Sequence, residues 1–143
     1  MSRVDFYVLS QDGGDARLRV ACRLAEKAYQ QGKRVYLQTS SLAETQRLDD
    51  LLWTFSEGSF LPHEVASDAD PSHERVMILV GERIAPPTHR QLLVNLTDTL
   101  PAPVTDYERV AEIVDTDPER KRLSRERYKA YREQGCELES HNI

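Results

Sequence analysis

The chain has 143 residues, 39% of them hydrophobic and 30% charged, and a formal net charge of -5. That length suits one domain, able to bury roughly 70% of the surface its unfolded chain exposes, and the composition excludes a disordered chain. An acidic balance also argues against a protein that coats nucleic acid, which needs a basic surplus to displace counterions from phosphates.

The opening Met-Ser-Arg-Val-Asp-Phe sets Asp5 inside the first apolar stretch, and no window approaches 18 uninterrupted apolar residues. Neither a signal peptide nor a membrane span is expected. The two cysteines, Cys22 and Cys136, share no metal or redox spacing with each other or with a histidine, which fits a reduced, cytoplasmic protein. Charge is unevenly spread. Between Asp117 and Gln134 seven basic residues face four acidic ones, so this segment carries +3 and the remainder -8. A basic face on an acidic body suggests one specific anionic partner rather than general polyanion affinity.

In chain order, Val4 to Leu9 has the β-branched and aromatic character of a strand, closed by Gly13-Gly14. A helix is expected from about Asp15, because Leu18, Ala21, Cys22, Ala25, Ala28 and Tyr29 recur at helical steps. Gly32 then supplies a residue free to take positive φ at the helix end. Val35 to Leu37 predicts a second strand. Ser41 and Glu44 form a capping box for a helix running through Leu48, Leu51 and Leu52 to about Trp53. The acidic stretch at about 66–75 reads as an exposed loop. Val76 to Val80, closed by Gly81, suits a strand covered on both faces, and Leu92 to Leu96 repeats that character. A short helix around Tyr107 should lead into Ile113-Val114, and a basic helix should occupy about 118–134. Strands alternating with helices predict an α/β fold over residues 1–143. The expected architecture is a single domain with a largely parallel sheet and helices on both faces, Rossmann-like in topology but without a nucleotide site.

In such a sheet ligands bind at the carboxyl ends of the strands. After the first strand, Ser10-Gln11-Asp12-Gly13-Gly14 matches neither the Gly-x-Gly-x-x-Gly turn nor the Gly-Lys-Ser/Thr cradle, and Asp12 and Asp15 would repel a phosphate. His63, His73, His89 and His141 are isolated, without zinc spacing, and read as surface or partly buried residues. Asp49-Asp50 reads as a solvated helix face, since adjacent helical residues point apart. Cys22 falls on an apolar helix stripe, where burial makes a thiol inert. No catalytic residue, metal site or cofactor is expected. The rival class is a nucleotide-binding α/β enzyme or its inactive relative, which a nucleotide-dependent shift in melting temperature would reveal. Salt-sensitive binding to bare single-stranded DNA would instead favour direct nucleic-acid binding.

Two surfaces invite partners. Lys121, Arg125, Tyr128, Lys129 and Arg132 share one face of the last helix, with Leu123, Ala130 and the Tyr131 ring expected on the core side. This stripe is either a site for a carboxylate-rich peptide or a solvated face complementing the helix terminus. Trp53 and Phe55, followed by Phe60-Leu61-Pro62-His63, place aromatics at a helix end and the loop beyond. They either anchor an interface or complete a small core.

Phe6-Tyr7-Val8-Leu9, Gly32-Lys33-Arg34-Val35, Leu48-Asp49 with Leu52-Trp53, Ser59-Phe60-Leu61-Pro62-His63 and above all Arg125-Glu126-Arg127-Tyr128-Lys129-Ala130-Tyr131-Arg132 occur in this order along the chain. In these pieces the sequence resembles the chi subunit family of bacterial DNA polymerase III. The acidic loop and the tail after Gly135 lie outside the likeness. The resemblance implies a non-catalytic adaptor that pairs one-to-one with the psi subunit, and through it with the clamp loader, meeting DNA only indirectly. It also implies a site for the acidic C-terminal tail of single-stranded-DNA-binding protein, formed by Lys121, Arg125, Tyr128, Lys129 and Val114, which Arg132 joins on wheel geometry. Trp53, Phe60, Pro62 and His63 would belong to the psi surface, for which a helicase-like repair protein competes in some bacteria.

Overall fold

The computed structural model describes residues 2–10, 15–55, 61–66, 75–101 and 103–143. In chain order they form β1 (Arg3–Val8), α1 (Ala16–Gln30), β2 (Val35–Gln38), α2 (Leu42–Thr54), β3 (His63–Val65), β4 (Ile78–Gly81), β5 (Leu92–Asn95), β6 (Arg109–Val114), α3 (Pro118–Glu133) and β7 (Glu137–Asn142). The strands make one sheet in the order β3-β4-β2-β5-β6-β1-β7, parallel at every neighbouring pair. The expected parallel α/β architecture is present, and two edge strands, β3 and β7, lie where no strand was expected.

Alternation along each strand divides the core into two layers. Val35, Leu37, Ile78, Val80, Val94, Ala111 and Ile113 pack with Leu18, Ala21 and Ala25 of α1 and Leu48, Leu51 and Leu52 of α2. The intervening Tyr36, Leu79, Leu93 and Val110, with Val4 and Phe6 of β1, pack on the other side with Tyr131 of α3 and with Ala85, Val104 and Tyr107 from loops. Both faces are therefore covered, as strands without a polar alternation require.

The helix signals act largely as expected. Gly32 ends α1 at φ +69. Ser41 Oγ accepts from the Glu44 amide at 3.1 Å, while the Glu44 carboxylate reaches back to the Ser40 amide at 3.2 Å, one residue earlier than in the standard capping box. Asp117 caps α3 by accepting from the Arg120 amide at 2.9 Å, with Pro118 in the first turn, where its missing N–H costs nothing. Cys22 is buried with its thiol pushed up to about 12, consistent with an inert side chain.

Several expectations need correction. In place of a helix around Tyr107 there is a 3-10 turn at Val104–Asp106, and Tyr107 itself is buried against the sheet. Rather than surface or partly buried residues, His63 and His89 are buried. Asp49 is not a merely solvated acid, because it accepts from His63. Gly81 does close its strand as expected, as the last residue of β4, and a Cβ there would lie 2.5 Å from the Tyr36 hydroxyl. Gly13-Gly14, His73, Phe60 and all of the acidic loop except Ala66 and Arg75 lie outside the described residues.

Candidate functional site

The Arg-Glu-Arg-Tyr-Lys-Ala-Tyr-Arg block of α3 combines folding residues with surface residues. Ser124, Arg127 and Tyr131 are buried, whereas Leu123 and Ala130, the expected core positions, are only partly so. Glu112 of β6 is completely buried and collects three donors. Arg127 Nη2 donates to its Oε1 at 3.0 Å, Tyr131 Oη to its Oε2 at 2.6 Å and Asn95 Nδ2 to Oε2 at 2.9 Å. Burial drives the Glu112 carboxyl above its usual range, against the opposing pull of Arg127, Tyr131 and Asn95. Arg127 also reaches Ser124 Oγ at 3.2 Å. This network fixes the rotation of α3 about its own axis, and with it the residues one step round the helix.

Those residues line a groove of about 260 Å³ between α3 and the β6-β1-β7 side of the sheet. Its floor is apolar. Phe6 and Val8 project from β1 and Val114 from β6, all on the α3 face, with Tyr128 standing over Phe6 at 5.3 Å between ring centroids. Lys121 and Arg125 sit along the helix side, and Ser124 and Ser140 complete the lining. The geometry thus brings together Lys121, Arg125, Tyr128 and Val114. Lys129 and Arg132 are exposed on the same helix and do not line the groove. Two cations beside an apolar floor can hold a carboxylate and an adjoining apolar side chain at once.

The second surface lies at the end of α2. Trp53 is 45% exposed, and its ring rests on His63 with centroids 4.3 Å apart. His63 is held by Asp49 Oδ1 at 2.8 Å and by the Leu61 carbonyl at 2.7 Å, while Pro62 is partly buried. The His63 side chain is wholly covered, so it faces no solvent itself.

The carboxyl ends of the central strands, where a layered α/β protein would hold a nucleotide, carry an ion-pair lattice. Arg17 Nη2 meets Glu44 at 2.6 Å and its Nε lies 4.0 Å from Asp115, which Arg120 holds at 2.9 Å, and Asp15 pairs with Arg47. Three carboxylates around the start of α1 oppose a phosphate there. At the opposite sheet edge, Asp5, Glu139 and His141 bring their ligand atoms within 4.8 Å. Asp5 already accepts from Arg3, Arg109 and His141. Burial alone would raise its carboxyl, but these three hydrogen bonds hold it below the usual range. Two guanidinium groups on Asp5 leave poor ground for a further cation. Among the described residues, no helix is long and apolar enough to cross a membrane.

Sequence reasoning missed Glu112, Arg127 and Asp49. The first carries a legible signal, an acid inside the apolar run Arg109–Val114. An ionised side chain in a central strand needs a buried partner, and a neighbouring helix rich in arginine can supply one.

The family model for the DNA polymerase III chi subunit, HolC, matches residues 1–139. The DNA polymerase III subunit chi of Pseudomonas aeruginosa is 43% identical over 143 residues, covering 100% of this chain and 98% of that protein. The subunit chi of Escherichia coli is 30% identical over 142 residues, covering 96% of each. Among solved structures, T4 UvsW aligns with a TM-score of 0.66 over 98% of this chain and 41% of its own, at 9% identity, a likeness of fold alone. With a family model spanning nearly its whole length and full-length relatives on either side of that result, the chain belongs to the DNA polymerase III chi subunit family.

Proposed function

We propose that this chain is a non-catalytic adaptor that joins the clamp loader, through the psi subunit, to the acidic C-terminal tail of single-stranded-DNA-binding protein. Its family makes it a subunit of DNA polymerase III with an accessory role in replication. The observation that carries the finer reading is the groove on α3. Lys121 and Arg125 flank a floor of Phe6, Val8, Val114 and Tyr128, the combination that suits an acidic peptide ending in an apolar residue with a free carboxylate. The terminal carboxylate pairs with Arg125, the last side chain packs on Tyr128 and Val114, and the preceding acids run toward Lys121. Exposed Lys129 and Arg132 add attraction at longer range.

The psi subunit is assigned to the Trp53 surface, as a one-to-one partner. A large ring offered from a rigid helix end is the kind of anchor that dominates protein interfaces. Phe60, which falls outside the described residues, and the partly buried Pro62 belong to the same assignment. Where a helicase-like repair protein is present, it would compete for this surface.

Calorimetric titration with a peptide copying the tail tests the reading of the groove. One site per chain with micromolar affinity that weakens as salt rises is expected, since the cations lie at a screened surface. Heat no greater than dilution would remove the tail from the account.

A further inference from the structure

The psi reading leaves His63 unexplained, because a side chain with no exposure cannot touch a partner. Its surroundings give it a different task. Asp49 and Trp53 stand one turn apart on α2 and grip the same imidazole. Asp49 accepts from Nε2 at 2.8 Å, and the Trp53 ring lies over the imidazole at 4.3 Å with the planes 49° apart. The Leu61 carbonyl faces Nδ1 at 2.7 Å. The ring cannot turn without losing its bond to Asp49, and β3, which begins at His63, ties it to the sheet through β4. An exposed tryptophan on a helix end would otherwise sample several rotamers, and ordering it on binding would cost affinity.

We propose that Asp49 and His63 are positioning residues for Trp53. Together they hold the indole in the single orientation in which its outer half is offered to the psi subunit. The proposal rests on the psi reading above for its partner, but the platform exists in the free protein and can be measured there. Asp49 acts only through His63, and His63 only through the ring it supports.

Trp53 is the chain's only tryptophan, so its emission and its quenching by acrylamide report the platform without any partner. Asp49→Ala, on an accessible helix face, should shift the emission and make Trp53 easier to quench. Asp49→Asn, which keeps an acceptor oxygen, should restore both. Asp49→Ala should also weaken binding of the cognate psi subunit roughly fivefold or more, whereas in a Trp53→Ala background the same change should have no further effect, since contacting residues are coupled. Equal weakening in both backgrounds would overturn the proposal, because Asp49 would then act independently of Trp53. Unchanged emission and quenching in Asp49→Ala would overturn it as well. If Trp53→Ala itself left psi affinity intact, the psi assignment would fail, and the emission and rescue in the free protein would still decide the platform.

Discussion

Replacing Arg127 by Met removes the only cation that faces Glu112 at salt-bridge distance among the described residues. The pair is enclosed, with side-chain exposures of 8% for Arg127 and 0% for Glu112, so solvent screening does little to soften the loss. Removing one partner of a buried pair costs about 3–5 kcal/mol, because the remaining charge is left uncompensated. Against a total stability of about 5–15 kcal/mol this is a large share. With a urea slope near 2 kcal/mol/M the denaturation midpoint should fall by roughly 2 M. The cost should also depend on pH. Burial raises the folded-state carboxyl of Glu112, and losing Arg127 removes an opposing pull, so the variant's folded state holds a proton still more readily than its unfolded state. A raised folded-state value means that stability is fully present below the unfolded value and is lost as pH rises through the folded one. Arg127→Met should therefore lose less at pH 5 than at pH 8, and Glu112→Gln added to it should recover much of the loss. Urea denaturation of the wild type, the single variant and the double variant at both pH values measures this. A single-variant cost under about 1 kcal/mol, or the same cost at both pH values, would refute a charged and buried Glu112 as the anchor of α3.

Gly81→Ala should destabilise by about 1–3 kcal/mol in a thermal melt, since the new Cβ would meet the Tyr36 hydroxyl at 2.5 Å and Ala66 Cβ at 3.0 Å, and that hydroxyl is fixed on the Arg83 carbonyl at 2.7 Å. Asp5→Asn should flatten the acid limb of the stability curve. The depressed Asp5 carboxyl contributes stability that is present above the unfolded value near 3.9 and is lost as pH falls through the folded value, so the wild type should lose more on acidification than the variant. Trp53→Ala should weaken psi binding by about 2 kcal/mol or more while leaving the urea midpoint nearly unchanged, because almost half of the residue is already exposed.

The elements that the sequence makes legible are those whose own residues demand burial. Val35, Ile78 and Leu93 stand in apolar runs that only a covered strand satisfies, and Ser41, Glu44, Gly32 and Asp117 mark helix ends by chemistry that acts within a few residues. The edge strands are different. Glu137–Asn142 is polar along its length, and its pairing with β1 depends on an open backbone edge supplied by residues more than a hundred positions away. β3 has only three residues, too few for an alternation to register. The candidate groove was half legible for a related reason. Helical spacing put Lys121, Arg125, Tyr128, Lys129 and Arg132 on one face, of which the first three line the groove, but a wheel cannot tell which arginine of a charge run turns inward. That choice was made by Glu112 on a separate strand, which rotated the buried face to Ser124, Arg127 and Tyr131 and left Lys129 and Arg132 off the groove.

On the proposed function, the α3 groove recognises the end of an acidic tail rather than acidity in general. This is tested most directly by titrating the wild type and Arg125→Ala with the tail peptide of single-stranded-DNA-binding protein, intact and lacking its final residue. Micromolar binding of the intact peptide to the wild type is expected, with a loss on the order of 1–3 kcal/mol in Arg125→Ala and no measurable binding once the last residue is removed. Equal binding of the intact and shortened peptides would contradict it, leaving α3 with a charged face and no pocket for the tail.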